Sequence, residues 1–257
     1  MGLECIPAHI SERKKNRNNN PCERGVGPPL VPVSDILQDI ADVLLLTKML
    51  QINNKNFIQY EVNGTTVYEI QDFYKYPDKV IEFISNIIPY LHKGHEQPSY
   101  NGRAFEDLRH SVPVRGLWEV CNFLSSICNQ HACDPHSLKT NMFKFLDSNF
   151  DQHDQNYWWP HIDDGYTALV YLNNFSYPGT NLYNSSNVKL LNKGEHFTPW
   201  QPKSNWKLET TLQAEYNKLV LFDGLNNPHS MSISDNLFFD QYRLNQVIFF
   251  QACLAQR

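Results

Sequence analysis

The sequence predicts a chain of helices followed by a β-sandwich or barrel, with the helices covering one face of the sheets. Three observations carry this. Apolar residues recur at helical spacing in three segments before about residue 130. From about residue 140 the period changes to short aromatic and β-branched runs separated by Gly, Pro, Asn and Asp. Between the first two helical segments, "FIQYEVNGTTVYEIQ" alternates around Asn63-Gly64, a dipeptide that favours a tight hairpin turn.

Residues 1–33 read as a polar arm or linker, because 11–32 are first polar and then rich in Pro and Gly. Residues 34–257 read as a single domain, with a helical support region at 34–135 and a β core at 140–257. Ser34 can cap a helix through "DILQDIADVLLLTKML". "YPDKVIEFISNIIPYL" sets Val80, Phe83, Ile84, Ile87 and Ile88 on one stripe, with Pro77 and Asp78 suited to the first turn. "GLWEVCNFLSSICNQ" repeats the pattern with Leu117, Val120, Cys121, Leu124, Ile127 and Cys128. The expected strands are "NMFKFLD", "YTALVYLNN", "GTNLYN", "NKLVLFDG", "HSMSI" and "NQVIFFQA". Residues 184–217 read as a long insertion between core strands: a lid, or a surface loop packed by Trp200 and Trp206.

Composition narrows the function classes. The net charge of -5 gives no reason to expect a nucleic-acid or membrane partner. No apolar run reaches the length of a membrane span, and "MGLECIPAHISERKKNRNNN" has neither a signal's apolar region nor a myristoylation pattern. The six cysteines form no CxxC pair and read as free thiols, which implies a reducing cytoplasmic setting.

The chemistry centres on "HIDDG". In an extended chain His161 and Asp163 point to one side, and Ile162 and Asp164 to the other. On their own the two also read as polar residues at a strand edge. His229, after the apolar run "NKLVLFDG", supplies a third candidate ligand. Two imidazoles and one carboxylate on one face of an octahedron are the ligand set of non-haem Fe(II) oxygenases. Such an oxygenase needs a co-substrate, and a carboxylate is best gripped by the planar fork of an Arg. Arg243 opens the last apolar run, where its charge is otherwise expensive; a structural ion pair is the alternative reading.

His161-x-Asp163, His229 and Arg243, with "HIDDGYTALVYLNNFSYPGTNLY" and "NKLVLFDGLNNPHSMSI", resemble the Fe(II)/2-oxoglutarate-dependent dioxygenases of the prolyl-hydroxylase-like branch. The resemblance covers about residues 140–251. It implies a double-stranded β-helix, a cupin-like jelly roll, mainly β and packed against the N-terminal helices. It implies Fe(II) on His161, Asp163 and His229, with 2-oxoglutarate and O2 as co-substrates. Arg243 would take the distal carboxylate of 2-oxoglutarate, with Tyr171 and Asn245 beside it. Asn245 stands where the branch often has Ser or Thr, Gly179 where it often has two glycines, and the step from His229 to Arg243 is longer than usual. The carboxylate of Asp163 fits hydroxylation rather than halogenation. The substrate implied is an amino acid, a peptide or a small metabolite.

Further candidates are less constrained. Trp158 and Trp159 suit a substrate pocket or the core, and Arg103 a substrate carboxylate. His131, Cys133 and His136 have zinc-capable chemistry but no second cluster at matching spacing; His92, His95 and His153 suit surface roles. Two rival functions stand beside the dioxygenase. One is a non-catalytic jelly-roll binding protein. The other is a metal-dependent cupin enzyme that uses no keto acid.

Overall fold

The computed structural model describes residues 48–86, 90–91, 105–112, 118–128, 131–145, 160–163, 165–184, 206–232, 237–239 and 241–253. The N-terminal arm and the helix expected from Ser34, apart from residues 48–50, lie outside them.

The described chain runs β1 (Ile58–Val62), β2 (Thr65–Ile70), α1 (Pro77–Asn86), β3 (Tyr90–Leu91), β4 (Phe105–Val112), α2 (Trp118–Ile127) and β5 (His131–Phe145). It continues with β6 (Tyr166–Tyr171), β7 (Tyr177–Tyr183), β8 (Leu208–Ala214), β9 (Lys218–Asp223), β10 (His229–Met231) and β11 (Arg243–Cys253). One sheet has eight strands in the order β1-β2-β9-β6-β11-β5-β4-β3, and a second has three, β10-β7-β8. A bridge between His161 and His229 adds the segment around His161 to the small sheet, beside β10. Thus β5-β11-β6-β9 faces the His161 segment-β10-β7-β8, with successive strands passing between sheets in jelly-roll order.

Side-chain alternation on the central strands builds two cores. Ala168, Val170, Leu172, Leu219, Leu221 and Ile248 point to the outer face, where α1 (Val80, Ile84) and α2 (Val120, Cys121, Leu124, Ile127, Cys128) cover them. Leu169, Tyr171, Val220, Phe222 and Val247 point inward and meet Tyr177, Leu182, Leu212 and Ala214 of the small sheet. β6 and β9 are therefore buried on both faces, which is why "YTALVY" and "KLVLF" read as nearly unbroken apolar runs. The helices lie on one face of the sheet as expected. Burial also keeps the thiols inert, pushing Cys121 up to about 11 and Cys128 up to about 12.

The β1–β2 hairpin closes through Asn63 and Gly64, both at positive φ (53° and 74°), the two-residue turn whose twist matches the strands. It pairs with β9 through β2, so the first half of the chain extends the jelly roll's large sheet. Three strands depart from the sequence reading. Tyr90–Leu91, expected at the end of a helix, pairs with β4, and α1 ends at Asn86 ahead of Pro89. β4 falls in the region read as helical support. β8 occupies residues read as part of the 184–217 insertion; Leu212 and Ala214 are buried while Leu208, Glu209 and Gln213 are exposed. Trp206, just before β8, is buried, and residues 185–205 of the insertion lie outside the described residues. No helix among the described residues is long and apolar enough to cross a membrane.

Asn217, at positive φ (57°) in the β8–β9 turn, ties the two halves of the chain together. Its side chain accepts from the Tyr74 amide and donates to the Tyr74 carbonyl, each at 2.9 Å. Its backbone carbonyl accepts from Phe73 and its amide donates to Tyr171, each at 2.8 Å. Asn217→Ala removes two buried side-chain hydrogen bonds and places an alanine in a left-handed conformation, an expected loss of about 2–4 kcal/mol. Urea unfolding checks this as a lower midpoint at unchanged slope.

Candidate metal centre

His161, Asp163 and His229 converge: each offers one ligand atom, and these atoms lie within 4.8 Å of one another. His161 and His229 are tied backbone to backbone, His161 N–H to His229 C=O at 3.0 Å and the reverse at 2.8 Å. Their rings follow, with centroids 4.5 Å apart. The Asp163 amide donates to the Gly224 carbonyl at 3.1 Å, fixing the residue two positions along on the same side. His161 and Asp163 are thus brought together as their spacing predicts; Asp164 lies outside the described residues.

The donor set fits a divalent cation. His229 Nδ1 lies 2.9 Å from the Asn227 carbonyl, and a carbonyl only accepts, so Nδ1 carries the proton. In the neutral ring Nε2 then presents a lone pair. That Nε2 lies 3.1 Å from Asp163 Oδ2, which also accepts from Thr167 Oγ1 at 3.1 Å. Two acceptors facing one another require a proton or a cation between them. Two donors about 2.1 Å from one metal and at right angles stand ~3 Å apart, the separation found. Burial alone raises the Asp163 carboxyl. Where a proton rather than a cation lies between the two, His229 donates through Nε2, and that hydrogen bond, the charges of His229 and His161, and Thr167 outweigh burial and hold the carboxyl well below the usual carboxylate range. The rings of Phe222 and His229 meet edge to face, 4.9 Å between centroids, which gives the site an apolar wall.

At the opposite end of the same interior lies Arg243. Thr167, bonded to Asp163, and Tyr171 are four residues apart on the inward face of β6, ~13 Å along the strand. Leu169, Val220 and Val247 fill the inner face between them. Arg243 is 4% exposed. Its Nη1 donates to Asn245 Oδ1 at 3.0 Å and its Nη2 to the Gly179 carbonyl at 3.1 Å. The guanidinium sits 5.8 Å from the Tyr171 ring centre and 5.9 Å from that of Tyr177. Its Nε has no hydrogen-bond partner, and among the described residues no carboxylate pairs with it. A second buried cation contrasts with it: Lys218 meets Glu69 at 2.6 Å and Glu215 at 3.2 Å. Lys218 carries its counterion within the protein. Among the described residues Arg243 has no such counterion, and its Nε is left as an unused donor.

The structure brings six of the sequence-derived residues into two groups at opposite ends of one interior: His161, Asp163 and His229, then Arg243, Tyr171 and Asn245. The Tyr171 hydroxyl is shared with Thr180 Oγ1 at 2.8 Å, and burial pushes it well above the usual phenol range against the lowering effect of Arg243. Asn245 touches Arg243, so the contact seen is one that orients the guanidinium. Arg103, Trp158, Trp159, His92, His95, His153 and Trp200 lie outside the described residues, as do the side chains of His131, Cys133 and His136 on β5. Sequence reasoning missed Thr167, Asn227 and Thr180. Thr167, four residues beyond Asp163 on the strand's inward face, is the one a period-2 reading could have found.

No protein-family model matches the chain, and no curated protein matches it in sequence. Among solved structures it is similar to a 2OG-Fe(II) oxygenase family oxidoreductase from Burkholderia pseudomallei (TM-score 0.42, 8% identity, 72% of this chain and 84% of that one). It is also similar to a prolyl-4-hydroxylase from Pseudomonas putida (TM-score 0.41, 10% identity, 73% and 93%). A third is the epimerase SnoN in complex with Fe3+, alpha ketoglutarate and nogalamycin RO (TM-score 0.35, 9% identity, 86% and 76%).

Gly179 makes the close approach at the Arg243 end. A Cβ there would stand 2.8 Å from Tyr171 Cζ and hydroxyl and 2.9 Å from Ala214 Cβ, all fully buried groups. Gly179→Ala is expected to cost about 1–3 kcal/mol through overpacking and to displace the Tyr171 ring from beneath Arg243. Thermal unfolding and the near-ultraviolet tyrosine signal check both effects.

Proposed function

We propose that the chain is an Fe(II)- and 2-oxoglutarate-dependent dioxygenase. In this reading it hydroxylates an unactivated C–H bond of an amino acid, a peptide or a small metabolite, with 2-oxoglutarate and O2 consumed and succinate and CO2 released. One observation carries the reading. A two-His, one-carboxylate set shares an apolar interior with a buried guanidinium that has no carboxylate partner among the described residues.

In this reading His161, Asp163 and His229 hold the iron. When bound, the iron supplies the activation of O2 that couples keto-acid decarboxylation to C–H oxidation. The chain's own residues do the rest. Arg243 takes the distal carboxylate, with Nε as its free donor and the Tyr171 hydroxyl alongside. Asn245 and the Gly179 carbonyl hold the guanidinium in place by its other two nitrogens. Thr167 and Asn227 set the orientation of two ligands. Phe222 and Leu169 keep water from the space between the ends. The thiols of Cys121 and Cys128 are free, in keeping with the cytoplasm as the proposed setting.

Anaerobic titration of the Fe(II) protein with 2-oxoglutarate is expected to raise a weak visible charge-transfer band; iron binding without that band sinks the dioxygenase reading. Asp163→Ala and His229→Ala should each abolish iron-dependent 2-oxoglutarate turnover, and a variant that keeps it removes its residue from the ligand set. Arg243→Ala loses hydrogen bonds to a charged group, each about 1.5–3 kcal/mol, so the 2-oxoglutarate KM should rise at least ~tenfold. An unchanged KM assigns the carboxylate to another residue.

A further inference from the structure

The geometry points to the tip of the β1–β2 hairpin as a strut for the metal centre, with Asn227 as the positioning residue that transmits it. This rests on the metal reading of His161, Asp163 and His229.

The connector from Asp223 to His229 touches all three ligand residues. Its Gly224 carbonyl takes the Asp163 amide, its Asn227 carbonyl takes His229 Nδ1, and its last residue exchanges both backbone hydrogen bonds with His161. A connector that sets three ligands must itself be fixed. At its start Asp223 folds the turn, accepting from the Leu225 and Asn226 amides at 3.0 and 3.1 Å. At its centre Asn227 is fully buried.

The Asn227 side chain uses both of its donors and its acceptor oxygen. Its Nδ2 donates to the Asp223 carbonyl at 2.9 Å and to Thr65 Oγ1 at 2.7 Å. Its Oδ1 accepts from Asn63 Nδ2 at 3.1 Å. Asn63 also donates to the Tyr183 carbonyl at 2.7 Å, and the Tyr183 amide donates to Pro228 at 2.8 Å, inside the same connector. Asn63 and Thr65 flank Gly64 at the hairpin tip, 164 and 162 residues from Asn227 in the chain. The hairpin lies outside the strands of the jelly roll proper, yet its turn holds the carbonyl that selects the His229 tautomer and aims Nε2 at the metal position.

The test uses the full chain and two conservative changes. Asn63→Gly keeps a residue that accepts positive φ and removes the amide. Thr65→Val keeps the shape and removes the acceptor. Co(II) is titrated and followed by its visible absorption, and the His229 ring nitrogens are followed by 15N NMR in the metal-free protein. Val80→Ala, in the helix–sheet core, is the control for lost stability alone. Both hairpin variants are expected to bind Co(II) about 10- to 100-fold more weakly than wild type. Both should also lose the hydrogen-bonded Nδ1–H signal of His229. Val80→Ala should lower Tm and leave both readouts unchanged. Wild-type binding with equal affinity in both hairpin variants overturns the strut and leaves the metal reading intact. A wild type that binds no Co(II) overturns the metal reading. The strut is then judged on the NMR arm, where an unchanged His229 ring in both variants overturns it.

Discussion

The double burial of β6 and β9 is the constraint from which the rest of the structure follows. Helices cover their outer face and the small sheet covers their inner face, so neither strand can carry an uncompensated polar group at its centre. Polar chemistry is confined to their ends. At one end of β6 Thr167 meets Asp163, and at the other Tyr171 lies beneath Arg243. The separation of the His161, Asp163 and His229 group from the Arg243 guanidinium is a consequence of burying the strand between them. A substrate or co-substrate that joins the two ends must match that spacing, and the apolar wall between them limits what its middle can carry.

The two buried cations show how this constraint is met in different ways. Lys218 and Tyr171 are register partners on adjacent strands, so Lys218 and Arg243 occupy the same end of the interior. Glu69 neutralises Lys218 and is itself held by the Tyr60 hydroxyl at 2.6 Å. Among the described residues Arg243 meets only neutral oxygens and two aromatic faces. Neutral acceptors and ring faces offset part of the cost of burying a guanidinium, and the remainder is recovered when an anion binds. Because Lys218 already has its carboxylates, an anion entering this end finds one unmatched positive charge among the described residues.

Much of this was legible in the sequence, for reasons that are local. The α1 and α2 stripes, the Asn63-Gly64 turn and the unbroken runs of β6 and β9 are written in period and turn chemistry. His161-x-Asp163 is legible because an extended chain aligns residues two apart. Arg243 stands out because a charge opens an apolar strand. What escaped depends on tertiary neighbours. β8 mixes Thr, Glu and Gln with two buried residues, and only the small sheet makes it a strand. Gly179 matters because Tyr171 and Ala214 crowd it from two different sheets. Asn227 looks like an ordinary turn residue, and its partners Asn63 and Thr65 are far removed in sequence.

The ligands also differ in how they are held. His161 and His229 are fixed to one another by backbone hydrogen bonds, and the small sheet carries both. Asp163 is fixed to the connector after β9 and to Thr167 on β6, which places it with the large sheet. A cation bound by all three would join the two sheets at this end of the interior, beside the Phe222–His229 contact and the Asn63–Tyr183 hydrogen bond. Arg243 and Tyr171 already join them at the opposite end through Gly179 and Thr180. Both ends of the sandwich are therefore tied by the protein's own hydrogen bonds, and at one of them two facing acceptors leave a further tie to whatever lies between them. In the proposed reading, metal binding and the packing of the two sheets would be coupled through Asp163, and a bound cation would add to the stability of the fold by mass action.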